Sequence, residues 1–189
     1  MKIHIALLLF LLAFTHIALA ASPAPATPQP ILPGGIVVPL YPPTSRHLKQ
    51  DKLHEVEKIN STLKHKSDTT RSVLNIHNPS IEVHRAKDDA TNTGTALIIA
   101  PGGGHGILWV GPEGTDFIPQ LQKHGITTII LRNRLRSDGY EPTTDAVNDA
   151  FQAIRQVRAH AAEWKLDPAK IGILGFSAGA ELSSATALD

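Results

Sequence analysis

A serine flanked by glycines lies near the end of the chain, in residues 175–179 with the sequence GFSAG. The pattern G-x-S-x-G is typical of a nucleophile elbow, a strained turn between a strand and a helix that presents a serine hydroxyl for attack on a carbonyl carbon. Side chains at Gly175 and Gly179 would collide across such a turn, so both positions require glycine. The apolar run 171–174 predicts the strand, and the small residues that follow predict the helix. We therefore predict Ser177 as the nucleophile; the alternative is a glycine turn that merely exposes a serine.

Three consecutive glycines follow another apolar run, 96–100, and precede His105. Glycines let the backbone approach a ligand closely and aim its N–H groups at that ligand. In acyl transfer a negative charge develops on the carbonyl oxygen, and each pre-aimed N–H donor stabilises it by about 3 kcal/mol. We predict that Gly103 and Gly104, together with Ala178 after the serine, form such an oxyanion hole. The alternatives are a flexible loop and a phosphate-binding turn. The loop does not match the phosphate-binding pattern G-x-G-x-x-G, and no G-K-S/T follows it.

The pattern around the two glycine-rich segments predicts a scaffold that brings them together. A continuous apolar run at 96–100 and largely apolar runs at 126–131 and 171–174 are typical of strands buried on both faces. Amphipathic helical patterns lie between them, one ending at Gly125 and a longer one opened by Pro142. This alternation predicts an α/β fold with a mostly parallel sheet flanked by helices. Ligands of such sheets bind at the carboxyl ends of the strands, where both glycine-rich segments lie.

The first twenty residues predict a signal peptide rather than a part of the fold. Lys2 is their only charge, an apolar run follows over 5–14, and small residues then occupy Ala18 and Ala20. This order is typical of a secretory signal, with cleavage before Ala21. An anchoring transmembrane helix is disfavoured because the apolar run is short. We expect a secreted or periplasmic protein.

The chain after the signal divides into a proline-rich segment and a domain. Residues 21–44 hold most of the prolines and predict a flexible tether, whose end at 36–41 packs on the domain as an extended arm. An incomplete α/β domain is predicted for 45–189. Within 45–66, a helix is predicted from four apolar residues at near-helical spacing: Leu53, Val56, Ile59 and Leu63.

Composition excludes several classes of protein. The 189 residues are 42% hydrophobic and 19% charged, with a formal net charge of +1, as in an ordinary globular domain. So small a net charge argues against a nucleic-acid partner, and no segment predicts a membrane partner after signal cleavage. Cysteine is absent, which excludes disulfides, thiolate metal sites and a cysteine nucleophile. The histidines show no ligand spacing on a shared element, so we expect neither a metal nor another cofactor.

The two motifs, in this order, resemble those of an α/β-hydrolase over the chain from about Ser72 to its end. The segment ALIIAPGGGHGILWVGPEG resembles the strand and oxyanion loop of secreted serine esterases in the acetylesterase and acetylxylan-esterase-like branch, where an aromatic commonly follows PGGG. The resemblance implies an esterase for short-acyl or carbohydrate acetyl esters, and a sheet in which the strands of Ile98 and Leu174 are neighbours. His105 stands where the aromatic is usual and is a candidate substrate contact; the alternative is a pocket-lining or solvent-facing side chain.

The resemblance also implies an acid and a base after the serine, in the order Ser, Asp or Glu, His. Residues 178–189 contain Glu181 and Asp189 but no histidine, and Glu181 is too close to the serine along the helix to serve as the acid. We therefore expect the N-terminal part of a longer esterase, truncated after the nucleophile elbow and inactive alone. His105 is disfavoured as a substitute base because the sequence shows no carboxylate to orient it. The alternatives are an incompetent or non-enzymatic remnant and a peptidase- or lipase-like hydrolase of the same fold.

Overall fold

A computed structural model describes residues 23–62, 70–86 and 91–188. Seven strands lie within these ranges: β1 (Ile36–Pro39), β2 (Lys58–Thr62), β3 (Thr70–Leu74), β4 (Ser80–His84), β5 (Ala96–Ala100), β6 (Thr127–Arg132) and β7 (Ile171–Gly175). The α-helices in the same ranges are α1 (Ile118–Lys123), α2 (Val147–Ala159) and α3 (Ala178–Leu188), and a π-helical turn, Pro142–Ala146, leads into α2. Among the described residues, no helix is long and apolar enough to span a membrane. The predicted signal peptide, 1–20, lies outside the described residues.

A five-stranded sheet in the order β1-β4-β6-β5-β7 forms the centre of the protein. Strand β5 pairs in parallel with both β6 and β7, and Ile98 lies opposite Ile129 on one side and Ile173 on the other. The strands of Ile98 and Leu174 are therefore neighbours, as the resemblance implied. Strands β4 and β1 continue the sheet beyond β6 in antiparallel orientation. The predicted α/β fold is confirmed, because parallel strands carry the candidate site and helices pack on the sheet.

Alternate side chains of the parallel strands fill two apolar layers, one on each face of the sheet. Ile98 lies in the layer that contains Leu182 of α3, whereas Ile99 lies in the other layer, against which Leu121 of α1 packs. Both isoleucines are fully buried, and burial of such a side chain contributes about 1.5–3 kcal/mol relative to its exposure. β5 is buried on both faces, and its continuous apolar run made it visible in the sequence. β4 is just as buried but carries Glu82 and His84, so burial alone does not produce such a run.

The helix predicted within 45–66 is wrong. Turns occupy the first part of this range, and the second part contains β2, which pairs with β3 as an antiparallel hairpin. Leu53 is buried, but Val56 and Ile59 are 66% and 41% exposed, so the spaced apolar residues do not share one buried face. The ladder with β3 satisfies the backbone groups that a helix would have paired internally. Leu63, the fourth residue of the pattern, lies outside the described residues.

The proline-rich segment lies on the domain over much of its length. The arm predicted at 36–41 contains β1, which pairs with β4. Before β1, the N–H groups of Ile31 and Leu32 donate to the carboxylate of Glu82 over 2.7 and 3.0 Å. Glu82 is fully buried, so these two amides satisfy an acid that would otherwise be costly. The flexible tether predicted for the part of this segment before the arm is wrong from Ala26 onward, because the Ala26 N–H donates to the Leu53 carbonyl over 2.7 Å.

Candidate active site

Ser177 occupies the turn between β7 and α3. Its backbone φ is 49°, a left-handed conformation that costs an L-residue about 1–2 kcal/mol. The turn is closed by hydrogen bonds from the Gly179 N–H to the Phe176 carbonyl (2.7 Å) and from the Ala180 N–H to the Ser177 carbonyl (2.8 Å). Ser177 itself is exposed. A strained, hydrogen-bonded turn with an exposed serine is the geometry that a nucleophile elbow requires.

Both elbow glycines lie where a side chain has no room. A Cβ on Gly175 would collide with the carbonyl oxygen of Gly179, directly across the turn. A Cβ on Gly179 would instead collide with the carbonyl oxygen of Ala100, at the end of β5. The predicted crowding across the turn is thus present at Gly175, whereas at Gly179 the neighbouring strand sets the limit. Because Gly179 has no side chain, α3 starts close against the end of β5.

The glycine-rich loop after β5 has a backbone that favours glycine. Gly103 and Gly104 adopt φ values of 133° and 62°, both outside the range that L-residues prefer. A Cβ on Gly103 would collide with the carbonyl oxygen of Ile107, whereas nothing lies within 4 Å of a Cβ on Gly104. The Gly103 carbonyl accepts hydrogen bonds from the N–H groups of Gly106 (3.1 Å) and Ile107 (3.3 Å). The loop is therefore closely packed at Gly103 and exposed at Gly104.

The two glycine-rich turns meet because β5 and β7 are neighbours. Ala100 and Gly175, the last residues of these strands, lie opposite each other in the parallel register. The Phe176 N–H donates to the Ala100 carbonyl over 3.1 Å and extends the pairing into the elbow. A Cβ on Gly102 would lie 3.0 Å from the Cβ of Ser177. The loop and the elbow are therefore in direct contact.

Several backbone amides around this contact have no acceptor within the described part of the chain, among them the three predicted for the oxyanion hole. No hydrogen bond there uses the N–H of Gly103, Gly104 or Ala178. The N–H of Gly102 differs, since it donates to Oε2 of Glu113 over 2.7 Å. Ala178 is also the first residue of α3, where amides lack helical partners and the helix dipole is positive. These three amides are those predicted for the oxyanion hole, and that role stays a prediction.

His105 corrects two expectations, because it neither faces solvent nor lacks a carboxylate. Its side chain is 8% exposed, and its Nε2 lies 2.9 Å from Oε2 of Glu181 in the first turn of α3. An ionised carboxylate only accepts hydrogen bonds, so Nε2 carries the proton. The His105 ring lines a cavity of about 140 Å³ between the loop, the start of α2 and α3. His105 therefore lines a pocket, as one of the alternatives predicted. Its contact with a substrate stays a prediction.

No histidine is hydrogen-bonded to Ser177 among the described residues. The histidine side-chain hydrogen bonds found there join His77 to Tyr140, His84 to Glu82, His105 to Glu181 and His160 to the Gln156 carbonyl. Within the same ranges, no group of three or more His, Asp and Glu side chains is arranged to hold a metal ion. The structure thus brings the turn of Ser177 into contact with the loop that contains Gly103 and Gly104, without a histidine bonded to Ser177 in this part of the chain.

Two buried arginines pair with carboxylates away from Ser177. Arg134 donates from Nη2 to Oδ1 of Asp149 over 2.8 Å, and Arg132 donates from Nη1 to Oε2 of Glu57 over 2.9 Å. Burial raises the pKa of Glu57 to about 6, against the opposing effect of the Arg132 charge. The pairs connect the end of β6 and the loop after it to α2 and to the segment before β2, and they hold these segments together. Sequence reasoning missed both pairs, since their members have no common spacing.

Known proteins are similar to this chain in sequence and in fold. The model of the BD-FAE family matches residues 82–189, which is more than half of the chain and includes both glycine-rich turns. An acetylxylan esterase of Xylanibacter ruminicola is 38% identical over 92 residues, which cover 49% of this chain and 18% of that protein.

Two solved structures are also similar. The acetyl ester-xyloside bifunctional hydrolase of Caldicellulosiruptor lactoaceticus has a TM-score of 0.54 at 24% identity, over 82% of this chain and 47% of that chain, and shows the same fold. An esterase of Thermogutta terrifontis, Est2, has a TM-score of 0.49 at 27% identity, over 68% of this chain and 43% of that chain. The chain therefore spans less than half the length of each of these relatives.

Proposed function

The chain belongs to the BD-FAE family, and on that premise we propose that it supplies the nucleophile and the oxyanion hole of a serine esterase. Ser177 is the nucleophile, and the N–H groups of Gly103, Gly104 and Ala178 bind the charged carbonyl oxygen. The observation that carries the proposal is the contact between the two turns, in which a Cβ on Gly102 would lie 3.0 Å from the Cβ of Ser177. An ester carbonyl attacked at the elbow is then within reach of the amides of the loop.

The proposed reaction is acyl transfer through a covalent intermediate. The Ser177 oxygen adds to the ester carbonyl carbon as a base takes the hydroxyl proton, and the carbonyl oxygen becomes an alkoxide. Collapse of this intermediate expels the alcohol, which receives the proton, and leaves an acyl-serine that water hydrolyses to the carboxylic acid. Each preorganised N–H donor lowers the barrier by about 3 kcal/mol. The positive end of α3 adds to this stabilisation.

The serine hydroxyl requires a proton acceptor, and we propose that this is a histidine outside the described residues. Within them, His105 is bonded to Glu181, and no hydrogen bond joins it to Ser177. Serine is a weak nucleophile without a base, and loss of the base costs a serine protease about six orders of magnitude in kcat. Without this histidine, we therefore expect the described part of the chain to hydrolyse esters only slowly.

The proposed substrate is a short-acyl ester on a carbohydrate. The acetylxylan esterase of Xylanibacter ruminicola, 38% identical over the matched region, supports this class. Ser177 and Gly104 are both exposed, so a bulky alcohol group has access to the elbow. We also propose export through residues 1–20, which would bring the enzyme to carbohydrate outside the cytoplasm.

Labelling with a fluorophosphonate tests the nucleophile directly. Such a probe phosphonylates an activated serine and depends on the same oxyanion donors as ester cleavage. We expect slow labelling of the folded chain at one site, abolished in Ser177→Ala and retained in Ser184→Ala, which changes an exposed serine of α3. A folded wild-type chain that takes up no probe, or labelling that persists in Ser177→Ala, would overturn the proposal and favour a non-enzymatic remnant.

Acyl chain length separates the proposed esterase from other hydrolases of the same fold. We expect p-nitrophenyl acetate to be cleaved at least about tenfold faster than long-chain p-nitrophenyl esters, and peptides not to be cleaved. Each rate is measured against Ser177→Ala to subtract background hydrolysis. Preference for a long chain would indicate a lipase-like enzyme, and cleavage of peptides would indicate a peptidase.

A further inference from the structure

A side-chain pair joins the glycine-rich loop to the elbow helix. His105 directly follows Gly104 in the loop, and Glu181 is the fourth residue after Ser177 on α3. Their side chains meet at 2.9 Å, between Nε2 and Oε2, although they are 76 positions apart in the chain. The bond therefore connects the two turns that form the candidate site, in addition to the backbone pairing of β5 with β7.

The conformation of His105 shows that tertiary contacts determine it. Its φ is 58°, a value that residues other than glycine rarely adopt, and such a backbone persists only where its surroundings impose it. Its side chain is 8% exposed although Gly104 beside it is exposed. The ring is thus turned inward, against α3, at the cost of a disfavoured backbone.

The opposite side of the loop is also held. The His105 carbonyl accepts a hydrogen bond of 2.8 Å from the Arg136 N–H, and the Gly106 carbonyl accepts one of 2.8 Å from Oγ of Ser137. These donors belong to the segment after β6. The loop therefore has the segment after β6 on one side and the Glu181 carboxylate of α3 on the other.

We propose that His105 is a positioning residue, whose hydrogen bond to Glu181 holds the Gly103 and Gly104 amides in register with the Ser177 hydroxyl. The inference rests on the proposed function, because it assigns the pair a role in building the oxyanion hole. Amide donors stabilise an oxyanion only at about 2.7–3.1 Å, and a displacement of about 1 Å can cost two orders of magnitude in rate. Glu181 is 74% exposed, and pairs with so exposed a partner contribute little to overall stability. Its removal should therefore affect the geometry of the hole more than the stability of the fold.

The test is the kinetics of fluorophosphonate labelling in His105→Ala, Glu181→Ala, the double variant and Glu181→Gln. We expect each alanine variant to lower the labelling rate at saturating probe about tenfold, with little change in the probe concentration that gives half of that rate. The double variant should be no slower than either single variant, because one bond is lost in each case. Glu181→Gln should stay within about threefold of the wild type, since its amide oxygen still accepts from Nε2. Ser184→Ala, on the exposed face of the same helix, is the matched control.

A second measurement keeps the inference separate from the proposed function. The ¹⁵N–¹H resonances of Gly103 and Gly104 report the loop whether or not Ser177 reacts, and we expect them to shift in both alanine variants and to return in Glu181→Gln. A wild-type chain that is not labelled counts against the proposed function, and these resonances then decide the inference alone. Unchanged resonances, or alanine variants labelled at the wild-type rate, would overturn it. Losses that add in the double variant would also overturn it, because the two residues would then act separately.

Discussion

The carboxylate of Glu113 accepts a hydrogen bond of 2.7 Å from the backbone N–H of Gly102, the first glycine of the loop. This amide is satisfied within the protein, whereas those of Gly103 and Gly104 have no acceptor in the described part of the chain. Gly102 is buried and Glu113 is half-buried, which strengthens the bond relative to one in water. Glu113 thus orients the peptide that lies against Ser177.

Glu113→Ala should slow the labelling of Ser177 without unfolding the protein. Loss of the carboxylate leaves the buried Gly102 amide unpaired and frees the start of the loop, so we expect the labelling rate to fall about tenfold. Glu113→Gln keeps an acceptor oxygen and should stay within about threefold of the wild type. Circular dichroism confirms the fold of each variant. Wild-type labelling in Glu113→Ala would show that the bond does not contribute to the site.

Alanine at Gly103 and at Gly104 should have different effects, although both residues have a positive φ. The left-handed conformation of Gly104 costs an alanine about 1–2 kcal/mol. The φ of Gly103, 133°, lies outside the left-handed helical region and costs an alanine more. At Gly103 the new Cβ would also collide with the carbonyl of Ile107, which adds about 1–3 kcal/mol of overpacking. Urea denaturation should therefore rank Gly103→Ala as the less stable variant, and its labelling of Ser177 should be the slower. Equal stabilities would contradict the packing described for the loop.

Ser177→Gly should be more stable than Ser177→Ala. Both variants lose the nucleophile, but only glycine adopts a φ of 49° without the steric cost of a Cβ. We expect a difference of about 1 kcal/mol in the free energy of unfolding, part of the gain being offset by the more flexible unfolded chain. Neither variant should be labelled. If urea denaturation finds the alanine variant equal or more stable, the elbow does not store the strain described here.

Glu57 should make the protein less stable as the pH rises from about 4.5 to about 6. Its side chain is 7% exposed, and burial raises its pKa from 4.5 to about 6. Because the folded state then binds the proton more tightly than the unfolded state, the free energy of unfolding falls with rising pH across this window. The contribution of this group amounts to about 2 kcal/mol. It is fully present below pH 4.5 and lost above pH 6.

Urea denaturation of Glu57→Gln at pH 4.5 and 6.5 tests this dependence. Glutamine does not titrate, so the difference in unfolding free energy between the two pH values should change by about 1.5 kcal/mol relative to the wild type. Glu163→Gln, which alters an exposed carboxyl, is the matched control and should keep the wild-type difference. If the unfolding free energy of Glu57→Gln differs between the two pH values by as much as that of the wild type, burial does not raise the pKa of Glu57 in the folded protein.

The sequence by itself determined the elements whose cause is local. The run 96–100 corresponds to β5 and 171–174 lies within β7, because short apolar runs favour strands. The prediction that both strands are buried on both faces holds for β5, whereas Gly172 and Leu174 of β7 are exposed. The crowding at Gly175 acts across a single turn, so it was also legible in the spacing of residues. The neighbouring positions of β5 and β7 followed from the resemblance, and the parallel pairing confirms them.

Only the tertiary structure decided how distant residues meet. The β2–β3 hairpin occupies part of the range predicted as a helix, because Leu53, Val56 and Ile59 have a helical spacing but no shared buried face. Pairing with β3, which no local pattern specifies, satisfies the backbone of β2. The Glu82 carboxylate holds Ile31 and Leu32 across 51 and 50 positions, and His105 reaches Glu181 across 76. The residues around a charged or hydrogen-bonding side chain in the sequence do not reveal its partner. The interaction energy of such a pair depends on which element the folded chain places beside it and on how much water is excluded there.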